Sequence, residues 1–180
     1  RAGEVGLMLV AGGQGTRLGF PHPKGMFPIG PVSGRTLFQM LFDQLRAAER
    51  RYGVTLPLYI MTSPATDEET RDYLASQNYF GVSPRQVIVF CQGVMPAVDA
   101  ASGRLLLAEK DELFLAPDGH GGMLAAFEKS GAMADAKSRN VRRLFYAQID
   151  NPLVRFPDPL LVGCHLLAEA EMTTQVVAKS

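Results

Sequence analysis

The chain has 180 residues, is 47% hydrophobic and 20% charged, and its 18 basic and 18 acidic residues give a formal net charge of zero. This composition is typical of one globular domain and excludes a disordered or fibrous chain. A neutral chain has no overall field to attract nucleic acid or an anionic membrane, so any phosphate-binding charge has to be local.

Two features of the sequence indicate the compartment. Cys91 and Cys164 lie far apart without C-x-x-C spacing, which predicts two buried thiols in a reducing compartment rather than a disulfide or a zinc site. The apolar runs at 7–11 and 160–168 are shorter than the roughly 18 residues that a membrane span requires, and no basic-then-apolar leader precedes them. We therefore expect a soluble cytoplasmic protein.

The first predicted unit is a strand followed by a helix. The run Val5–Ala11 is almost continuously apolar, as in a strand that is buried on both faces. A loop rich in Gly and Pro follows this strand. Thr36 and Gln39 form a capping box that predicts the start of a helix, and the apolar stripe of this helix stops at Gly53.

Two further strands and a second helix are predicted in the middle of the chain. The apolar runs at 56–61 and 86–90 are typical of strands. Between them, Thr66 and Glu69 form another capping box, which predicts a helix that extends to about Gln77.

The rest of the chain continues this alternation after one insertion. The predicted elements are a hairpin between Met95 and Leu107 that turns at Asp99–Gly103, a helix from Met123, a strand at 144–149, a helix from Pro159 to about Glu171 that Asp158 caps, and a strand at 174–178. This pattern predicts an α/β fold with a doubly wound, mostly parallel sheet and helices on both faces. Because residue 1 is Arg and the chain stops in a predicted strand, we expect an excerpt of a longer protein.

Polar or glycine-rich residues follow each of the four main predicted strands. These segments are Ala11–Gly19, Thr62–Ser63, Cys91–Gly93 and Asp150–Asn151. Loops favour such residues in any case. However, ligands of open α/β sheets bind at the carboxyl ends of the strands, so four such ends together predict a ligand site.

The loop after the first strand differs from two familiar phosphate-binding loops. The G-x-G-x-x-G pattern of dinucleotide-binding proteins fails at Leu18, and no acidic residue follows at the distance that a ribose contact needs, which argues against a nicotinamide-dependent oxidoreductase. The Walker motif fails because Lys24 precedes its glycine. A glycine-rich turn with Arg17 and Lys24 close behind it can still neutralise a polyphosphate.

Two other residues are candidates for ligand contacts. His120 stands between glycines in the segment 116–122, where the backbone can approach a ligand and the imidazole can donate to a hydroxyl or a phosphate, although a histidine in a turn is more often structural. Asp150 at a strand end suits Mg²⁺ beside phosphates. Its alternative role is an Asx turn into the loop at 151–152.

Ordered motifs over essentially the whole chain carry a family resemblance. They are Leu9–Gly19, Pro23–Gly25, Met61–Ser63, Gln92–Gly93, Pro117–Gly122 and Asp150–Asn151. In these motifs the sequence resembles the eukaryotic-type UDP-sugar pyrophosphorylases, and the UDP-N-acetylglucosamine enzymes more than the UDP-glucose enzymes. The resemblance implies a glycosyltransferase-A-like nucleotidyltransferase fold. It also implies an enzyme that uses Mg²⁺ and converts UTP and a sugar 1-phosphate to a UDP-sugar and pyrophosphate.

The resemblance also implies the extent of the domain and the roles of individual residues. Residues 1–180 would be the nucleotide-binding part of the catalytic domain, and a further metal-binding Asp and a phosphate-binding Lys would follow downstream. The implied roles are phosphate binding for Arg17 and Lys24, backbone contacts to the nucleotide for Ala11, Gly12 and Gly13, recognition of uracil for Gln92 with the backbone of Gly119, sugar contacts for His120 and Asn151, and metal binding for Asp150.

One position departs from the pattern of the acetylglucosamine enzymes. These enzymes typically have Asn where this chain has His120, which is typical of the glucose enzymes. N-acetylglucosamine 1-phosphate is the favoured substrate and glucose 1-phosphate the alternative. A non-catalytic protein that binds nucleotide sugars is the alternative from another class, and the oligomeric state is not indicated.

Overall fold

A computed structural model describes residues 3–178 of the chain. Its strands are β1 (Val5–Val10), β2 (Leu58–Thr62), β3 (Val87–Cys91), β4 (Val94–Pro96), β5 (Leu107–Glu109), β6 (Glu112–Leu113), β7 (Leu115–Pro117) and β8 (Arg143–Gln148). Its α-helices are α1 (Leu37–Tyr52), α2 (Asp67–Ser76), α3 (Met123–Lys129), α4 (Ala132–Ser138) and α5 (Pro159–Leu167). The α/β class and the four main strands that the sequence predicts are confirmed.

The central sheet is parallel and has the strand order β3-β2-β1-β8. The chain moves from β1 outward to β3 in one direction, and β8 then lies on the opposite side of β1. The direction of winding therefore reverses between β1 and β8. Ligands of open α/β sheets bind at such a switch point, outside the carboxyl ends of the strands.

Helices cover both faces of this sheet, as the alternation of strands and helices predicts. On one face, the fully buried Phe38 and Phe42 of α1 pack with Leu9 of β1 and Ile60 of β2. Burial of a side chain of this size contributes about 1.5–3 kcal/mol. This face holds most of the core.

The opposite face of the sheet packs against α3 and α4. Phe127 of α3 is buried edge-on against Tyr59 of β2, with ring centroids 5.1 Å apart, and Ala136 of α4 belongs to the same cluster. Tyr59 also donates a hydrogen bond of 2.9 Å to Asp135 of α4. Both faces of the sheet are thus covered at β1 and β2, whereas Leu144 and Tyr146 of β8 remain partly exposed.

The first helix begins and ends where its sequence signals lie. The Thr36 hydroxyl accepts a hydrogen bond from the backbone N–H of Gln39 at 3.3 Å, which satisfies one of the free N–H groups of the first turn. At the other end, Gly53 adopts a left-handed conformation with φ of 63° and its N–H donates to the carbonyl of Glu49. A residue without a Cβ adopts this conformation at low cost.

The second helix is present, but its predicted capping box is wrong. The Thr66 hydroxyl accepts from the backbone N–H of Ser63 at 3.1 Å instead of from its own helix. Glu69, the predicted partner of the box, contacts His22 in the loop after β1. The helix still begins at Asp67, because an acidic first turn interacts favourably with the helix dipole.

The insertion after β3 is larger than the predicted hairpin. The predicted turn is confirmed, since the N–H of Gly103 donates to the carbonyl of Asp99 at 2.9 Å. Beyond that turn, β5 pairs with β6 and β4 pairs antiparallel with β7. The insertion thus returns the chain to the edge of the sheet where it left, directly before α3.

Three predictions for the remaining residues are wrong. Residues 174–178 form no strand, and Val176 and Val177 are 81% and 91% exposed. A segment rich in β-branched residues makes a strand only beside a strand with which it can pair, and between residues 3 and 178 no segment pairs with this one. In addition, α5 ends at Leu167 rather than near residue 171, and neither thiol is fully buried, since Cys164 is exposed and Cys91 is partly buried.

None of the helices between residues 3 and 178 combines the length and the apolar character that a bilayer crossing needs.

Candidate functional site

The strands of the parallel sheet end side by side. Val10 of β1 pairs with Met61 of β2 and with Gln148 of β8, and Met61 pairs with Phe90 of β3. The loops that follow these strands therefore start at one edge of the sheet. This register confirms that the four polar strand ends lie together.

The glycine-rich loop after β1 folds back on itself. The N–H of Gly15 donates to the carbonyl of His22 at 2.9 Å, and the N–H of Lys24 donates to the carbonyl of Gly13 at 3.0 Å. A Cβ at Gly15 would lie 2.8 Å from two backbone oxygens, so only glycine fits there. The loop thus returns Lys24 to the glycines.

The backbone of this loop is suited to an anion. Within the described residues, the N–H groups of Gly12, Gly13 and Gln14 donate to no protein acceptor. Successive free N–H groups form a concave site for a phosphate oxygen. The Lys24 side chain runs along the same turn, because a Cβ at Gly13 would lie 3.6 Å from its terminal carbon and nitrogen.

An ion pair connects this loop to the end of β8. Nζ of Lys24 lies 3.0 Å from Oδ2 of Asp150. The Lys24 side chain is only 15% exposed, whereas that of Asp150 is 47% exposed. The pair thus places a mostly buried cation and an accessible carboxylate at the switch point between β1 and β8.

The position of Lys24 depends on the glycine that follows it. A Cβ at Gly25 would lie 2.1 Å from the ring of Phe38 in α1. The turn Lys24–Met26 can therefore pack directly on the core only with glycine at this position. This contact gives the Pro-Lys-Gly motif a structural reason.

The second and third strand ends meet at Gly12. Oγ of Ser63 donates to the carbonyl of Gly12 at 2.8 Å, and the N–H of Gln92 donates to the carbonyl of Thr62 at 2.9 Å. The Gln92 amide lies against Gly12, because a Cβ there would be 3.2 Å from Nε2 of Gln92. Ser63 was not among the predicted site residues, although its place at a strand end was a signal.

Asp118 is a second residue that sequence reasoning did not select. Its carboxylate fills the space beside two glycines, since Oδ2 would lie 2.4 Å from a Cβ at Gly93 and 1.9 Å from a Cβ at Gly122. The backbone N–H of Asp118 donates to the carbonyl of Gly93 at 3.1 Å. Asp118 thereby joins the loop after β3 to the loop that carries His120.

His120 is held by a residue of β8. Its Nδ1 lies 2.6 Å from the hydroxyl oxygen of Tyr146, and the two rings meet edge to face at 73°. Burial raises the pKa of Tyr146 above its ordinary value; a hydrogen bond from Gln148 opposes this shift and the charge of Asp150 adds to it. Tyr146 therefore keeps its proton at neutral pH.

The other candidate residues have fewer contacts. Ala11 is fully buried and its N–H donates to the carbonyl of Met61, so only its carbonyl remains for a nucleotide. Arg17 forms no ion pair in the described part of the chain and lies in a short turn of 3-10 helix. Gly119 adopts a φ of +66°.

The Asx turn after β8 is formed by Asn151 and not by Asp150. Oδ1 of Asn151 accepts a hydrogen bond from the backbone N–H of Leu153 at 3.2 Å.

Asp150 is the one candidate metal ligand that the sequence singles out. Residues 3–178 contain no group of three or more His, Cys, Asp and Glu side chains that could hold a metal ion. A single accessible carboxylate nevertheless fits Mg²⁺, which takes one or two carboxylates and completes its shell with waters and substrate phosphates. The glycine-rich loop provides the adjacent place for those phosphates.

The sequence is similar to those of known proteins. The family model described as UTP--glucose-1-phosphate uridylyltransferase matches residues 3–180. UDP-N-acetylglucosamine diphosphorylase 1 of Arabidopsis thaliana is 39% identical over 188 residues, which are 99% of this chain and 37% of that protein. This chain therefore spans well under half the length of that relative.

Two solved structures have the same fold. The putative UDP-N-acetylglucosamine pyrophosphorylase of Entamoeba histolytica matches with a TM-score of 0.82 and 34% identity, over 94% of this chain and 44% of that one. The uridine diphosphate N-acetylglucosamine pyrophosphorylase of Trypanosoma brucei matches with a TM-score of 0.84 and 30% identity, over 93% of this chain and 36% of that one.

Proposed function

Because the chain belongs to the family described as UTP--glucose-1-phosphate uridylyltransferase, we propose that it forms the nucleotide-binding part of a uridylyltransferase catalytic domain. The reaction is UTP plus a sugar 1-phosphate to a UDP-sugar plus pyrophosphate. The observation that supports this proposal most directly is the Lys24–Asp150 pair beside the free N–H groups of the Gly12–Gln14 turn. A cation and a row of N–H donors at a switch point are suited to a polyphosphate.

The proposed chemistry needs no protein nucleophile. A phosphate oxygen of the sugar 1-phosphate attacks the α-phosphorus of UTP, a new P–O bond forms, and the bond to the β-phosphate breaks to release pyrophosphate. Because the attacking group is already an anion, the protein contributes alignment and charge neutralisation. Lys24 and Arg17 stabilise the negative charge of the leaving pyrophosphate.

The other residues bind and orient the substrates. Gln92, which lies against Gly12, reads the uracil edge, and the carbonyl of Ala11 and the backbone of Gly119 border the nucleotide. His120 and Asn151 contact the sugar. Asp150 would hold Mg²⁺, which when bound would neutralise the negative charge of the phosphates.

We propose N-acetylglucosamine 1-phosphate as the sugar substrate, because the relative from Arabidopsis thaliana is named for UDP-N-acetylglucosamine. Glucose 1-phosphate is the alternative, since the family description names that substrate. A cytoplasmic location is part of the proposal and agrees with the free thiols of Cys91 and Cys164.

The experiment uses the whole protein that contains these residues. Pyrophosphate release is measured with Mg²⁺, UTP and each of the two sugar 1-phosphates, with reactions that lack one substrate as controls. We expect release only in the complete mixtures, and faster with N-acetylglucosamine 1-phosphate. Binding of UTP and UDP-sugar without release of pyrophosphate identifies a non-catalytic binding protein instead.

A further inference from the structure

His120 and Tyr146 lie in different parts of the chain and contact each other. The proposed reaction gives Tyr146 no role. His120 lies in the loop before α3, and its carbonyl accepts a hydrogen bond from Met123 N at the start of that helix. Tyr146 lies on β8 and pairs in register with Met8 of β1. The loop reaches β8 across the face of the sheet that α3 covers.

The strand register fixes the direction of the Tyr146 side chain. Successive side chains of β8 alternate between the two faces of the sheet. Phe145 and Ala147 are buried in the core on the α1 side, so Tyr146 and Gln148 project on the other face. Tyr146 is therefore presented to the His120 loop, two residues before the strand ends and four before Asp150.

Tyr146 is the better donor of this pair. It keeps its proton, because burial raises its pKa, and its hydroxyl oxygen lies 2.6 Å from Nδ1 of His120. A phenolic O–H is a stronger acid than the N–H of a neutral imidazole, and the imidazole nitrogen is a stronger base than a phenol oxygen, so the hydrogen bond is stronger when Tyr146 donates and Nδ1 accepts. With Nδ1 as acceptor, the neutral imidazole carries its proton on Nε2.

The other ring nitrogen is free to meet a ligand. In the described part of the chain, Nε2 of His120 has no hydrogen-bond partner. A proton on Nε2 makes the ring a donor toward oxygen acceptors, which the hydroxyls and the phosphate of a sugar 1-phosphate supply. The opposite tautomer would present a lone pair and would repel a phosphate oxygen.

We propose that Tyr146 is a positioning residue that holds His120 in its Nε2–H tautomer, so that the imidazole donates a hydrogen bond to the bound sugar 1-phosphate. This inference rests on the proposed function for the identity of the ligand. The orientation of the ring follows from the contact itself, and the tautomer follows from Tyr146 being the donor.

The test compares Tyr146→Phe with Tyr52→Phe in the whole protein. Both changes remove one hydroxyl from a partly exposed ring, 40% exposed at Tyr146 and 48% at Tyr52, but Tyr52 lies at the end of α1 and its hydroxyl has no hydrogen-bond partner among residues 3–178. The ¹⁵N shifts of the His120 ring, assigned with His120→Asn, are measured with the imidazole neutral. The steady-state KM is measured for each substrate.

We expect Tyr146→Phe to move the two ¹⁵N shifts from a pure Nε2–H pattern toward a mixture of tautomers. The KM for the sugar 1-phosphate should rise about two- to tenfold, the effect of one neutral hydrogen bond, while the KM for UTP stays unchanged. Tyr52→Phe should change none of these values. A Nδ1–H pattern in the unmodified protein, or shifts that Tyr146→Phe leaves unchanged, overturns the inference.

The outcomes also separate this inference from the proposed function. If no sugar 1-phosphate supports pyrophosphate release, the proposed function fails. The inference then stands if the tautomer shift is accompanied by weaker calorimetric binding of N-acetylglucosamine 1-phosphate in Tyr146→Phe than in Tyr52→Phe. It falls if the unmodified protein does not bind that ligand or if both variants bind it equally.

Discussion

Lys24 and Asp150 are 126 residues apart in the sequence and meet at 3.0 Å in the structure. Lys24 belongs to the loop after β1 and Asp150 to the loop after β8, the two strands between which the winding of the sheet reverses. With only 15% of its side chain exposed, Lys24 has little freedom to move away from the glycine-rich turn. Its charge is therefore already in place when a phosphate arrives, which is the condition for electrostatic catalysis.

Replacing Lys24 tests this preorganised charge. We expect Lys24→Ala to lower kcat about 10²- to 10³-fold, the size of effect seen when one preorganised donor to a developing charge is lost. The rate of pyrophosphate release at saturating UTP measures it. Lys137→Ala, an exposed lysine of α4, is the matched control and should leave kcat unchanged. A loss of less than roughly threefold, far below that range, removes Lys24 from the mechanism.

Replacing Asp150 tests the proposed metal ligand. Asp150→Asn keeps the shape of the side chain and removes the charge that attracts Mg²⁺. We expect the Mg²⁺ concentration for half-maximal activity to rise about tenfold or more, the lower end of what loss of a supporting group of a metal site costs. Titration of activity with Mg²⁺ measures it, and Asp111→Asn at an exposed turn is the control. Identical titration curves for the two variants would exclude Asp150 as the ligand.

Replacing Gln92 tests nucleotide selection. The Gln92 amide lies against Gly12 at the opening of the glycine-rich turn, where it can pair with a polar base edge. We expect Gln92→Ala to reduce the preference for UTP over CTP by about tenfold, because one hydrogen bond that discriminates between bases is lost. Competition between the two nucleotides measures the ratio. Gln77→Ala, next to the end of α2, should keep the ratio of the unmodified protein, and a constant ratio in both variants contradicts the role.

Replacing His120 tests sugar selection. An Asn at this position presents an amide where the imidazole lies, and it cannot form the same contact with Tyr146 at 2.6 Å. We expect His120→Asn to shift the ratio of kcat/KM for N-acetylglucosamine 1-phosphate and glucose 1-phosphate by about threefold or more, the effect of one altered hydrogen bond. His165→Asn on α5 is the control. An unaltered ratio rules out a contact between His120 and the sugar.

Substitutions at two neighbouring glycines test how tightly the Asp118 carboxylate is packed. A Cβ at Gly122 would lie 1.9 Å from Oδ2 of Asp118, whereas a Cβ at Gly121 has its nearest neighbour at 4.0 Å. We expect Gly122→Ala to lower the free energy of unfolding by about 1–3 kcal/mol, the usual cost of overpacking, and Gly121→Ala to change it by less than about 0.5 kcal/mol. Urea denaturation measures both. Equal stabilities of the two variants would show that Asp118 moves away without cost.

Hydrophobic patterning was sufficient to predict the sheet. The runs that become β1, β2 and β3 are nearly continuously apolar, because a parallel strand that is covered by helices has no solvent face, whereas β8 alternates between buried and exposed residues. Glycines and helix caps then marked the ends of α1 and the start of α5. These are local properties of the chain, and a single sequence displays them directly.

The same local patterns failed where partners decide the structure. Thr66 and Glu69 have the spacing of a capping box, but their side chains contact Ser63 and His22 because the tertiary fold brings those groups nearer. Residues 174–178 have the pattern of a strand, and strand formation depends on a neighbouring strand that the pattern itself cannot identify.

The sequence by itself determined the polar and glycine-rich loop segments that contain the candidates Gly12, Lys24, Gln92, His120 and Asp150. Only the tertiary structure decided which of these touch. The Lys24–Asp150 and His120–Tyr146 contacts join distant segments, and the carboxylate of Asp118 occupies space that two glycines leave. Such contacts depend on strand order and register, which long-range packing determines and local periodicity does not encode.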